Sequence, residues 1–239
     1  MKILNQILIL TFLLLATPSI AQLNKLKEKA SNVGIPTTGF SKDEAAKALK
    51  EALSKGAEKG ADLVSKEDGF MKNTAIKIPF PSEAEIIESK VRKLPGGNKK
   101  CDDLVLTINR AAEMASKEAK TIFIEAIKQL TVKDAIEIVN GQKDAATQYL
   151  EKTTTQSLKE KFNPIIDNAL KATGATKNWN TVMSAYNKIP MTKKINPNLR
   201  DYVTEKAVEG LFKMIAKEEE NIRNNDTARS SELLKKVFG

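Results

Sequence analysis

The stretch LVLTINRAAEMASKEAKTIFIEAIKQL, residues 104–130, decides the fold class. Leu104, Ile108, Ala111, Ala112, Ala115, Ala119, Ile122, Phe123, Ala126 and Leu130 recur at steps of three and four, the spacing of one helical face. The pattern predicts a single long helix. The centre of its apolar face is alanine, and small side chains let neighbouring helices approach closely. This reads as a central helix packed on several sides.

The same period continues outward in both directions. Ser41 and Glu44 have the spacing of a capping box, and Ala45, Ala48, Leu49, Ala52 and Leu53 follow on one face. Gly56 and Gly60 interrupt this helix as sites of close contact, and Gly69 ends the unit. In the segment Ile76-Lys77-Ile78-Pro79-Phe80-Pro81 apolar residues alternate between prolines, an extended piece with no obvious partner strand. Ser82 with Glu85 reads as a second capping box, opening a helix to about Leu94. Pro95-Gly96-Gly97 is a turn. Beyond residue 130, Thr131 with Asp134 caps a short helix ending at Asn140-Gly141. Helices are expected at 143–161, 164–172, 179–187 and 199–223, with a loop from Pro190 to Pro197. Asp226 is expected to cap a last helix. Its Leu233, Leu234, Val237 and Phe238 should pack against the body. The sum is an all-α single domain of about eight or nine helices over residues 41–239.

Residues 1–40 read differently. Lys2 precedes an apolar run from Ile7 to Ala16, Pro18 breaks it, and Ser19-Ile20-Ala21 offers small residues for cleavage. That is the layout of a secretory signal peptide over residues 1–21, with the mature chain starting at Gln22. Residues 22–40 read as a mobile lead-in punctuated by Gly34, Pro36 and Gly39. No later segment is apolar enough to span a bilayer, so the exported product is expected to be soluble, in the periplasm of a Gram-negative bacterium.

Composition excludes more than any motif establishes. The 239 residues contain no histidine, which removes Ser-His-Asp and Cys-His catalysis and the usual zinc and haem ligation. Cys101 is the only cysteine, so no internal disulfide forms. Lys99 and Lys100 precede it and could lower its pKa, but an incidental small residue is the favoured reading. The net charge is +9, or +8 once Lys2 leaves with the signal, and the lysines are interspersed with glutamates. Peripheral contact with an anionic membrane surface is compatible with this excess, although a solvated surface is its commoner meaning. Nucleic acid is a poor partner for a chain only 5% aromatic with no binding motif.

Several strings, taken in order, carry a resemblance: Ile78-Pro79-Phe80-Pro81, Asn109-Arg110-Ala111-Ala112-Glu113, Gly141 with Asp144-Ala145-Ala146-Thr147-Gln148-Tyr149, Phe162-Asn163-Pro164, Tyr202-Val203-Thr204, Gly210-Leu211-Phe212, Glu218-Glu219 with Ile222-Arg223, and the terminal Leu233-Leu234-Lys235-Lys236-Val237-Phe238-Gly239. Together they resemble the bacterial domain-of-unknown-function family numbered 4197, from about Ser41 to Gly239. The resemblance implies an exported helical protein of Gram-negative bacteria. It brings no catalytic, metal or cofactor assignment.

The candidate site residues are Asn109, Arg110, Glu113, Thr147, Tyr149, Glu219 and Arg223. Asn109 and Glu113 share an edge of the long helix, with Lys120 further along, and Arg110 can pair with Glu113 at a spacing of three. They could form a polar pocket; a hydrogen-bonded network tying helices together is the favoured reading. Thr147 and Tyr149 follow the Gly141 turn, where a tyrosine could line a cavity or simply bury its ring. Glu218, Glu219, Glu220 and Arg223 form the densest charge cluster. Adjacent glutamates diverge on a helix, so acid–base or metal chemistry would need a second carboxylate such as Glu113 or Asp144. A solvated face is the favoured reading. No catalytic or metal residues and no cofactor are assigned. The function expected is a non-enzymatic binding or interaction protein of the periplasm, with an unidentified protein or small apolar ligand as partner. A carrier of an apolar or lipid-like ligand and a carboxylate-based hydrolase or metal-dependent enzyme remain the alternatives.

Overall fold

A computed structural model describes residues 41–196 and 198–238, so the expected signal peptide and the expected lead-in lie outside the described residues. Among the described residues there are nine α-helices: α1 Lys42–Ser65, α2 Glu85–Arg92, α3 Gly97–Ser116, α4 Ala119–Gln129, α5 Val132–Val139, α6 Ala145–Ala172, α7 Ala175–Asn187, α8 Leu199–Asn224 and α9 Glu232–Phe238. They form one all-α domain. α8 packs along both α1 and α6, α3 lies on α6 and α8, and α4 and α5 close over α1. No described helix is long and apolar enough to cross a membrane.

The capping boxes at Ser41–Glu44 and Thr131–Asp134 are both present. The one at Ser82–Glu85 is not. Ser82 opens a 3-10 turn instead, and α2 starts at Glu85 without a side-chain cap. The predicted helix over 104–130 is two helices. Glu118 N–H turns back to Ala115 O, and the buried hydroxyl of Ser116 takes Ala112 O at 2.8 Å. A serine competing for a helix carbonyl favours such a break. The alanine face nevertheless holds across it, with Ala111, Ala112, Ala115 and Ala119 all fully buried.

The reverse error occurs at Pro164. The expected helices 143–161 and 164–172 are one, α6, with the proline inside it. Pro164 is on an exposed position, and so is Glu160, whose carbonyl loses its helical donor. Water can replace that bond on this face. Ala146, Leu150, Thr154, Leu158, Phe162, Ile166 and Leu170 are all buried. Steps of four advance a helical stripe by about 40° each, so α6 turns successive residues towards α8, α3, α4 and α7.

α7 starts four residues before the expected Trp179. Asp226 does not cap the last helix: it starts a 3-10 turn capped by Asn225. Arg229 then folds back, donating to Ile222 O at 3.1 Å and Arg223 O at 2.7 Å, and so closes the C-terminus of α8. Ser231 accepts from Leu234 N–H at the start of α9. Leu234 is buried against Ala52 and Ile222, as expected for this helix, and the Val237 and Phe238 side chains lie outside the described residues.

The extended piece around Ile78 finds a side chain where a strand would have been. Asn109 accepts Ile78 N–H at 2.9 Å and donates to Ile78 O at 2.8 Å. Asn187 repeats the device on Ile195, with both bonds at 2.8 Å. A buried backbone outside secondary structure must satisfy its N–H and C=O somewhere, and one amide side chain satisfies both.

Candidate functional site

The sequence candidates separate into two networks and two outliers, Asn109, which holds the Ile78 backbone, and Tyr149. On α3, Glu113 is 3% exposed. One oxygen accepts the N–H groups of Phe70 and Met71 at 3.0 and 3.1 Å, and the other accepts Arg110 at 2.7 Å. Arg110 also reaches Asp68 at 2.7 Å. Asp68 stands in the left-handed region, and Lys72 and Arg110 hold its carboxyl below the usual range. The network bolts the connection after α1 onto α3. It seats Phe70 over Gly210 of α8, where an added Cβ would lie 2.7 Å from the ring. Lys120 is elsewhere, on α4, paired with Glu58 at 3.6 Å.

The second network brings Thr147, Glu219 and Arg223 together. Glu219 accepts the N–H groups of Ala146 and Thr147 at 3.1 and 2.8 Å and the Thr147 hydroxyl at 2.8 Å. It thus caps the first turn of α6 from another helix and meets the positive end of its dipole. Arg223 pairs with it at 2.9 Å and donates to Ile138 O at the end of α5. The expected solvated face is therefore incorrect for two of the three glutamates: Glu218 and Glu219 are buried, and only Glu220 is exposed. Glu218 pairs with Lys59 at 2.7 Å. Burial follows because α8 packs on both sides, towards α1 and α6. A cavity of about 20 Å³ beside Glu219 has room for about one water.

Both networks spend their carboxylates on backbone N–H groups and a guanidinium. That is structural use. Tyr149 joins neither network. It is half-buried against the core, and burial raises its phenol above the ordinary value. Among the described residues no group of three or more Cys, Asp or Glu side chains is placed to hold a metal.

A concave site of suitable size lies elsewhere. α2 packs on α3, and α7 packs on α6 and α8. Between α2–α3 and α7 is a groove of about 670 Å³, within the range of small-molecule sites. Ile87 and Val91 of α2, Leu104 and Thr107 of α3, and Trp179 and Met183 of α7 line it. Phe80 completes the wall, its ring tilted against Trp179 with centroids 5.5 Å apart. Trp179 is 4% exposed, and its indole N–H is buried without an acceptor. Thr176 Oγ1, one turn earlier, is also buried and unpartnered. At the edge, Val182, Lys100 and Lys177 are exposed.

None of the seven sequence candidates lines this groove. Cys101 does, but burial pushes its thiol up rather than the lysines drawing it down, so it is not an activated nucleophile. The missed residues had one legible signal. Trp179 is the only tryptophan of the chain and sits in an otherwise polar stretch, Lys177-Asn178-Trp179-Asn180-Thr181.

Residues 39–239 match the model of a family described as "Protein of unknown function (DUF4197)". None of the curated proteins and none of the solved structures matches the chain.

Proposed function

This chain belongs to the DUF4197 family of proteins of unknown function, and from that premise we propose a non-enzymatic binding protein of the periplasm whose groove carries a small apolar ligand. One observation carries the reading: a groove of about 670 Å³ in which Ile87, Val91, Leu104, Met183 and the paired rings of Phe80 and Trp179 present apolar surface. Apolar surface gathered in a concavity of this size is what a small apolar ligand would cover. The signal-like residues 1–21 support export. The carboxylate-based enzyme has less support, because Glu113 and Glu219 are each committed to two backbone N–H groups and an arginine.

The test is a native mass spectrum of protein released gently from the envelope of producing cells. A small-molecule adduct that disappears on denaturation is expected. Val182→Glu, at the exposed edge, should remove the adduct while leaving the helical spectrum intact. Bare protein in the wild-type sample would sink the reading, and recovery of Met1 in the released material would sink cleavage before Gln22.

A further inference from the structure

The groove has a chemical polarity that narrows its ligand. Its apolar lining is aliphatic, from Ile87, Val91, Leu104 and Met183, and aromatic, from Phe80 and Trp179. The charges around it are not balanced. Lys100 on α3 and Lys177 on α7 stand on opposing walls, both exposed, and neither has an ion-pair partner. The nearby acid, Asp103, is paired with Lys99 at 2.6 Å. Lys177 also lies in the first turn of α7, whose N-cap is Gly174 in the left-handed conformation with no side-chain cap. The free N–H groups of that turn add partial positive charge to the same edge.

We propose that the occupant is a single-chain anionic amphiphile, its alkyl chain against the apolar lining and its anionic head between Lys100 and Lys177. This inference rests on the reading of the groove as a binding site. Two ammonium groups without ion-pair partners on the rim of one apolar trough raise the positive potential at its mouth, and an anionic head there lowers it. An apolar ligand without charge would leave that potential unchanged. Monomeric ligand is proposed rather than a membrane surface, because a concave trough encloses one chain and offers no flat apolar face to a bilayer.

The experiment uses the full mature chain and the emission of its sole tryptophan, with calorimetry as a second readout. Dodecanoate, kept below its micelle concentration, should titrate Trp179 saturably at one equivalent. Dodecanol and a dodecylammonium salt should bind more weakly. The double variant Lys100→Glu, Lys177→Glu changes only exposed, unpaired side chains. It should keep its melting curve, lose about tenfold in dodecanoate affinity, and bind dodecanol as before. Equal affinity for dodecanoate and dodecanol, unaffected by the charge reversal, would overturn the anionic head while leaving the groove reading intact. No heat and no emission change with any of the three would overturn both. Lysine-dependent sedimentation with anionic phospholipid vesicles, without binding of monomeric dodecanoate, would overturn the inference in favour of a membrane surface.

Discussion

Along α3, the half from Ile108 to Ser116 is sealed and the half from Gly97 to Thr107 borders an open groove. In the sealed half every buried polar side chain is matched: Asn109 to the Ile78 backbone, Glu113 to two N–H groups and Arg110, Ser116 to a carbonyl. Across the groove from the other half, Trp179 buries a donor that nothing accepts. Buried polar groups in a finished interior are partnered, because each orphan forfeits its hydration. The contrast teaches where the molecule is complete and where it is prepared for something else.

The largest expected effect comes from breaking the sealed half. Glu113→Ala strands the N–H groups of Phe70 and Met71 and leaves Arg110 with Asp68 but without its buried carboxylate partner. Urea unfolding should show a loss of about 3 kcal/mol or more. A loss below about 1 kcal/mol would mean the connection is held by packing alone. Next is Gly210→Ala, whose Cβ would meet the fully buried Phe70 ring at 2.7 Å and Ile76 Cβ at 3.2 Å. Overpacking of this kind costs about 1–3 kcal/mol, and a thermal melt reads it.

The comparison is sharpened by the opposite sign on the open side. Trp179→Phe keeps most of the ring and deletes the orphan donor, so ligand-free stability should stay within about 1 kcal/mol of wild type or rise. A loss of about 2 kcal/mol or more would show that the indole N–H does have a partner, and the contrast would fail.

The smallest effect lies at the seam between these regions. Tyr202 donates to Pro79 O at 3.1 Å, beside the residue that Asn109 holds. Burial, with Glu83 and Glu209 nearby, pushes its phenol up to about 12 from 10.0. The fold therefore favours the neutral form. Its contribution is full below pH 10, where the unfolded chain is also neutral, and is lost as pH rises from about 10 towards 12. Tyr202→Phe should flatten that part of the stability profile, measured as the difference between the two proteins by denaturant titration; identical slopes would show that the phenol is not buried enough to couple.

The parts of this design legible in the chain are local. The Ser41–Glu44 and Thr131–Asp134 boxes join residues three apart, and both form. The alanine face of residues 104–130 needs only a period, and its alanines are buried. Where the reading failed, a distant partner had supplied what the local string lacked. The cap of α6 comes from Glu219, more than seventy residues away, so its true start at Ala145 left no mark nearby. Pro164 looked like a terminator because nothing local reveals that it faces water. The Arg110–Glu113 and Glu219–Arg223 pairs were visible as spacings. Their use, as anchors for a turn and a helix start, was not.

The amino-acid order alone determined the all-α class, most helix positions and the catalytic chemistries that absent histidine forbids, because periodicity, capping and composition act within a few residues. The tertiary structure decided which glutamates are buried, which asparagines serve as strand partners, and that α2, α3 and α7 leave a groove between them. These depend on which surfaces meet across the fold, and that information resides in the packing of several helices at once rather than in any one of them.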